Sequence, residues 1–375
     1  MSERFIVRLT EALREVAKVD SADPAGNVLD FARTLGVGAF VRSRMAGSPA
    51  DDPNDAECLL RRLSQEILID AAREVSTAFS RNGIPHFFFK GAALVERVYF
   101  PAEREMDDID VHIDPAFKEN AHDSLLSLGY EIPGDDLQEG PQELRSGLVA
   151  FKTTGSGHLG TIDLDMAWGI DPVNRLLARA DCVVPREVWD GIDRSGSLPV
   201  PADWHHVVLL IHHMVHHDML HIRGLVDLAL LWPRVPKELT HQVEQLAQKL
   251  GVLRVTRILA NVLNSNLAVK LSGELPYPEG LRSRRLRKML DPVAWFAWAS
   301  NAGESEFVEI NLHRIRRRAL LLDNMWDMPG LISDAVFPPR EYLRWRWPEQ
   351  KSVAGAAMCH WKRVAAKSLK TVLGG

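Results

Sequence analysis

The chain has 375 residues, 46% apolar and 25% charged, with a formal net charge of −5 at pH 7 and a pI near 6.3. That length leaves room for two or three domains, and the composition excludes a disordered, collagenous or coiled-coil protein. A net acidic chain has no overall attraction for nucleic acid or an anionic membrane. Its three cysteines, Cys58, Cys182 and Cys359, lie far apart without CxxC spacing, which indicates neither a disulfide framework nor a zinc ribbon and fits a reducing cytoplasm.

The N-terminal residues mix acids and bases with apolar positions at helical spacing and carry no secretory h-region. Helices are predicted near 4–19 and 27–45, then, past a polar break at 46–55, a long amphipathic helix to Ser80 on Leu59, Leu63, Ile67 and Ala71. Asn82-Gly83 stops that helix, and Pro85 leads into an apolar strand at 86–90. Further strands are expected at 108–113, 146–153 and 161–167, with helices at 92–99 and 116–128, the second closed by Gly129. Beyond Pro201 the pattern is helical. The apolar stretch at 207–222 is broken by histidines and Asp218, so no transmembrane segment is expected. These elements predict an α+β fold: an N-terminal helical region at 1–80, an α/β core at 81–200 and an all-helical domain at 201–375.

The segment Met106-Asp107-Asp108-Ile109-Asp110-Val111-His112-Ile113 is the most informative. Strand residues two apart share a face, so Asp108 and Asp110 project together while Ile109, Val111 and Ile113 face the core. Two adjacent carboxylates repel unless a cation compensates, and hard oxygen donors suit Mg²⁺ or Mn²⁺. The strand Thr161-Ile162-Asp163-Leu164-Asp165-Met166 adds a third carboxylate, expected at Asp163. Three converging acids serve a two-metal mechanism, although an Asp-x-Asp alone equally describes turn caps or a solvated sheet face.

Lys90-Gly91-Ala92 joins a strand to a helix, a junction where backbone N–H groups and the positive helix end can receive a phosphate. Gly91 would let the backbone approach an oxyanion, with Lys90 and Arg104 neutralising a triphosphate. A plain strand-to-helix turn with its lysine in solvent reads the same residues without a ligand.

In combination, hydrophobic-Gly-small, Asp-hydrophobic-Asp and hydrophobic-Asp-hydrophobic, in that order, resemble the DNA polymerase beta-like nucleotidyltransferase superfamily. The wording FFFKGAALVERVYFPAEREMDDIDVHI is similar to its uncharacterised bacterial nucleotidyltransferases. TIDLDMAW, HHMVHHDMLHIRGLVDLALL and VFPPREYLRWRWP extend the likeness over roughly residues 60 to 365. Asp165 stands where that group often has a histidine, which leaves the third carboxylate open between Asp163 and Asp165. The resemblance implies transfer of an NMP from an NTP, ATP favoured, to a hydroxyl with release of pyrophosphate. Asp108, Asp110 and Asp163 would hold Mg²⁺ or Mn²⁺, and Lys90, Gly91, Ala92 and Arg104 the nucleotide. The expected acceptor is a small molecule or peptide; nucleic acid is disfavoured by the net charge. A catalytically inert nucleotide-binding or scaffold module is the alternative.

His205, His206, His212, His213, His216, His217 and His221 crowd one segment, with pairs four apart at 212/216, 213/217 and 217/221. Such pairs can bind zinc, but HExxH is absent, and histidines satisfied in the core or lining the nucleotide domain compete with a zinc enzyme on His212, His213, His216 and His217. Arg223 and Asp227 form a pair or a substrate contact. His313, Arg314, Arg316, Arg317 and Arg318, and later Trp361, Lys362, Arg363, Lys367 and Lys370, read as solvated helix faces, with RNA or membrane contact as the alternative. Trp345 and Trp347 are expected between domains.

Overall fold

The computed structural model describes residues 3–20, 28–45, 56–134, 146–154, 160–176, 183–301 and 312–373. Helices α1 (Glu3–Asp20), α2 (Val28–Thr34), α3 (Gly38–Met45) and α4 (Ala56–Arg81) precede strand β1 (His86–Phe89). The α+β core continues through α5 (Lys90–Leu94), β2 (Asp108–Ile113), α6 (Lys118–Ser127), β3 (Gly147–Thr153) and β4 (Thr161–Ala167). Both glycine stops act through left-handed backbone. Gly83 has φ +66° and Gly129 φ +82°, and each lets the next amide bond back to the last helical turn, Ile84 to Phe79 at 2.9 Å and Tyr130 to Leu125 at 3.0 Å.

The sheet order is β1-β2-β4-β3, with β2 and β4 parallel and the outer strands antiparallel to them. Period-two alternation divides its residues between two faces. Phe88, Ile109, Val111, Ala150, Leu164 and Met166 pack on Leu68, Ala72, Val75 and Phe79 of α4 and on Ala121 and Leu125 of α6. Phe87, Phe89, Asp108, Asp110, His112 and Asp165 share the opposite face, by strand register. Strand β1 ends one residue early, because Lys90 adopts φ +48°, a left-handed conformation that cannot continue an extended strand. The helix after it spans only Lys90–Leu94 instead of running to residue 99.

After α7 (Arg186–Asp190) and the short pair β5 (Ile192–Asp193) and β6 (Val200–Pro201), the chain is helical. Helices α8 (Asp203–His216), α9 (Arg223–Leu231), α10 (Thr240–Lys249), α11 (Leu253–Asn261), α12 (Leu281–Met289), α13 (Pro292–Asn301) and α14 (Leu312–Leu321) follow. Three more complete the order: α15 (Met328–Val336), α16 (Arg340–Arg346) and α17 (Val353–Leu373). None of the described helices is long and apolar enough to cross a membrane. Packing cuts across residue 80. Helix α4 belongs to the sheet core, whereas Phe5, Leu9 and Leu13 of α1 and Phe40 of α3 share one cluster with the C-terminal helices, α1 lying against α13. The reason is apolar pattern: α4 offers its stripe at 68, 72, 75 and 79 to the sheet, and α1 offers 5, 9, 13 and 16 to the helices.

The two clusters are tied by a buried ion pair. Arg104, in the connection before β2, donates from Nε to Asp227 Oδ1 at 2.8 Å and from Nη2 to Oδ2 at 2.9 Å, and the Tyr99 hydroxyl donates to Oδ1 at 2.6 Å. Burial alone would raise the Asp227 carboxyl; the Arg104 guanidinium and these hydrogen bonds outweigh it and hold the group below its ordinary value. Asp227→Ala would leave a buried guanidinium without its counter-charge, at a cost of about 3–5 kcal/mol. Thermal unfolding of the variant should show a correspondingly lower midpoint; an unchanged midpoint would mean that the pair carries no stability.

Candidate active site

The site face of the sheet looks onto α8 across a cleft of about 330 Å³, within the size range of small-ligand sites. Parallel pairing of β2 with β4 sets Asp108 opposite Asp163 and Asp110 opposite Asp165. Asp110 is buried and Asp165 half-buried, whereas Asp163, one pleat toward the start of β4, is exposed. A carboxylate oxygen from each of Asp108, Asp110 and Asp165 lies within 4.8 Å of the others. Asp163 stands outside that group; the position beside Asp110, not the one beside Asp108, faces the cleft.

Lys90 donates from Nζ to Asp110 Oδ1 at 2.5 Å. Burial pushes the Asp110 carboxyl up to about 6, with Lys90 partly opposing and Asp108 adding to the rise. On the lysine, burial works downward, but Asp110 and then Asp108 outweigh it and keep the ammonium charged. Among the described residues three carboxylates gather beside the Lys90 ammonium, a set that a bound cation would stabilise. The donor set, all hard carboxylate oxygens, fits Mg²⁺ or Mn²⁺.

The expected phosphate turn is built differently from its sequence reading. Gly91 and Ala92 are buried, and a Cβ added at Gly91 would stand 2.8 Å from Arg104 Nη1 and 3.2 Å from Met106 Cγ. Gly91 therefore makes room for the Arg104 side chain. Arg104 itself is committed to Asp227, with Nη1 turned to the Glu105 carbonyl at 3.4 Å, and does not stand in the cleft as a triphosphate clamp. Asp227 pairs with Arg104 and not with Arg223, which donates instead to Asp107 Oδ2 and the Glu105 carbonyl, both at 3.1 Å. Lys90 reaches the carboxylates through Asp110.

Residues 25–267 match the model of a family described as uncharacterised nucleotidyltransferase. The chain belongs to that family. No curated protein matches it. The match contains the carboxylate strands, Lys90 and the histidine segment; it starts earlier than the expected likeness at residue 60 and stops short of the C-terminal helices.

His212, His213, His216 and His217 line the cleft wall opposite the sheet, while His112 lies on β2 itself. His112 stacks on Phe87 at 4.9 Å, and His206 and His213 approach Phe89 at 5.2 and 6.1 Å between ring centres. His212 is held by the Asp171 backbone, and His216 lies 3.9 Å from the Asp171 carboxylate. His213, His217 and His221 instead gather on one another, a grouping distinct from the four-residue set expected on α8. Burial drives His213 and His217 well below the ordinary imidazole range, so these rings are neutral at pH 7. The four-apart spacing already pointed to 213/217 and 217/221; what spacing did not reveal is the turn that closes the set.

Asp218 and Met219 take φ +52° and +65°, two successive non-glycine residues in the left-handed region. Such backbone costs about 1–3 kcal/mol per residue and persists only where neighbours hold it. Here they do: Arg318 and Arg314 donate to the two Asp218 oxygens at 2.6 and 3.2 Å, Arg318 also bonds the His216 carbonyl, and Trp295 Nε1 donates to the Met219 carbonyl at 2.6 Å. The basic run of α14 is therefore largely internal. Arg314, Arg317 and Arg318 are buried, Arg317 over the Trp298 ring at 5.1 Å, and Arg316 is exposed. The His313 side chain, and those of Lys367 and Lys370 in the later basic stretch, lie outside the described residues. Trp345 and Trp347 both approach Tyr342, and Trp347 also meets His360, within the C-terminal helices.

His206 gives the wall a pH signature. Burial pushes it down to about 3, Arg97 adding to the effect, Asp227 opposing and Arg104 adding again, and neither ring nitrogen has a hydrogen-bond partner among the described residues. Its folded value lies below the unfolded one, near 6.5, so the native state binds fewer protons than the unfolded chain between those values. The stability it contributes is fully present above pH 6.5 and declines on acidification, by about 1.4 kcal/mol per pH unit inside the window. His206→Phe keeps the contact with Phe89 and removes the proton site. Its unfolding free energy should fall less between pH 6.5 and 4.5 than that of the parent, and equal slopes would count against the burial argument.

Proposed function

We propose that the chain transfers an NMP from an NTP, ATP favoured, to a hydroxyl of a small molecule or peptide, releasing pyrophosphate. The observation that carries this reading is the convergence of Asp108, Asp110 and Asp165 on a cleft that also holds the Lys90 ammonium, in a member of a nucleotidyltransferase family. Of the two candidates that the sequence leaves open, Asp163 and Asp165, this reading takes Asp165 as the third carboxylate. Mg²⁺ or Mn²⁺ held by these three carboxylates would neutralise the phosphate chain and sharpen the acceptor hydroxyl as a nucleophile.

The chain's own groups supply the rest. Lys90 provides positive charge for the phosphates, on a backbone fixed by its left-handed turn. The acceptor oxygen forms its bond to the α-phosphorus as the bond to pyrophosphate breaks, and the hydroxyl proton passes to Asp165. Arg104 acts as a positioning residue: paired to Asp227, it packs over Gly91 and so sets the Lys90 turn against β2. The internal use of Arg314, Arg317 and Arg318 supports a small acceptor, because a nucleic-acid acceptor calls for a broad track of available cations. The three cysteines, far apart in sequence and without CxxC spacing, fit a reducing, cytoplasmic setting.

Asp110→Asn should abolish Mg²⁺-dependent release of pyrophosphate while leaving the circular dichroism of the fold intact; retained turnover would remove the assignment. Asp165→Asn should lose about 10²–10³-fold in rate, and Asp163→Asn should stay near the parent. The reverse order would return the third carboxylate to Asp163. Incubation with labelled ATP, CTP, GTP or UTP, Mg²⁺ and a metabolite extract, followed by mass spectrometry, identifies the acceptor. Label in an RNA fraction, lost on neutralising Arg316, would overturn the small-acceptor reading, and NTP binding without any pyrophosphate release would indicate a binding module.

A further inference from the structure

We propose that His213, His217 and His221 form a second cation site, of borderline-soft character and suited to Zn²⁺, on the cleft wall opposite the carboxylates. One ring nitrogen from each histidine lies within 4.8 Å of the others. A tetrahedral ion with Zn–N distances of about 2.0–2.1 Å needs donors about 3.3 Å apart, which small side-chain rotations reach. Ring centres stand 4.4 Å apart for His213 and His217 and 4.5 Å for His217 and His221. The carriers are well defined. His213 and His217 are one helical turn apart at the end of α8, and the left-handed turn at Asp218-Met219 brings His221 back against them. That turn is fixed by Arg314, Arg318 and Trp295 from two other helices, so the third donor is placed by packing and not by chance of a loop.

The chemistry separates this site from the carboxylate one. Imidazole nitrogens favour Zn²⁺ and its neighbours over Mg²⁺, whereas Asp108, Asp110 and Asp165 offer only hard oxygens. Three protein donors also leave a coordination position for a further ligand, as in zinc sites that act on substrates. His213 and His217 line the same cleft as Asp110, Asp165 and Lys90, so an anionic substrate oxygen is the natural fourth ligand.

The test is Zn²⁺ titration of the full chain without a histidine tag, followed by calorimetry and by metal analysis after gel filtration. The parent should retain one Zn²⁺, and Co²⁺ in its place should give the visible absorption of a four-coordinate nitrogen site. His221→Ala, at an exposed position, leaves the fold undisturbed and should weaken binding at least about 100-fold, the upper range for loss of even an outer-shell partner; His213→Ala should do the same. The double variant Asp108→Asn/Asp110→Asn should bind Zn²⁺ as the parent does, whatever becomes of nucleotide turnover. A parent that retains no more Zn²⁺ than His221→Ala, or Zn²⁺ lost with the carboxylates and kept without the histidines, would overturn the proposal.

Discussion

Arg104 and Asp227 join the sheet core to the C-terminal helices. The guanidinium comes from the connection entering β2 and the carboxylate from α9, so a buried bidentate contact reinforces the packing of Phe87 and Phe89 against those helices. Its geometry propagates to both sides. Toward the sheet, Arg104 covers Gly91, whose missing side chain is what allows the approach, and the adjoining Lys90 turn is thereby set against Asp110. Toward the helices, Tyr99 completes the shell of Asp227 and meets Phe40 of the N-terminal helices edge-on at 6.0 Å. Burying two charges is worthwhile only when both are well bonded, and here every oxygen of the acid has a donor.

The cleft on one side of that joint holds an unusual concentration of unfavourable electrostatics. Three carboxylates stand within reach of one another, the Asp110 carboxyl raised to about 6 by burial, and Lys90 meets Asp110 from left-handed backbone. A fold maximising its own stability would not keep such a set. Local strain and repulsion held in place by surrounding packing are the marks of a site whose compensation arrives with a ligand. The aspartate face and the histidine face are built by different parts of the chain, and their opposition across one space is a property of the docking between core and helices.

Much of this was legible in the sequence, for physical reasons that also explain the remainder. Period-two alternation in DIDVHI and TIDLDMA gave the strands and the face carrying the acids, because it depends only on local geometry. Gly83 and Gly129 marked helix ends because few other residues tolerate positive φ there. What local pattern does not contain is register. Asp163 and Asp165 share a face, and only the pairing of Asp110 with Asp165 decides which one enters the cleft. The same limit governs Arg104, whose partner lies 123 positions away, and α4, which reads as one of the N-terminal helices yet packs under the sheet.

The basic run of α14 shows how a charge pattern misleads when taken without its tertiary partners. Four arginines in five positions look like a cationic surface, and the default for such a run is a solvated face. Arg314 and Arg318 instead point inward to Asp218, an acid that the sequence presents merely as an interruption of an apolar stretch. Two cations thus share one carboxylate. Burial lowers the Arg314 guanidinium from its ordinary value, the Asp218 anion opposes that fall and the neighbouring Arg318 cation adds to it. The arrangement persists because it satisfies a turn with two residues in left-handed backbone, and that turn carries His221 to the other histidines. The arginines thus serve the cleft at one remove: they hold the wall in shape, while Lys90 reaches into it and bonds Asp110.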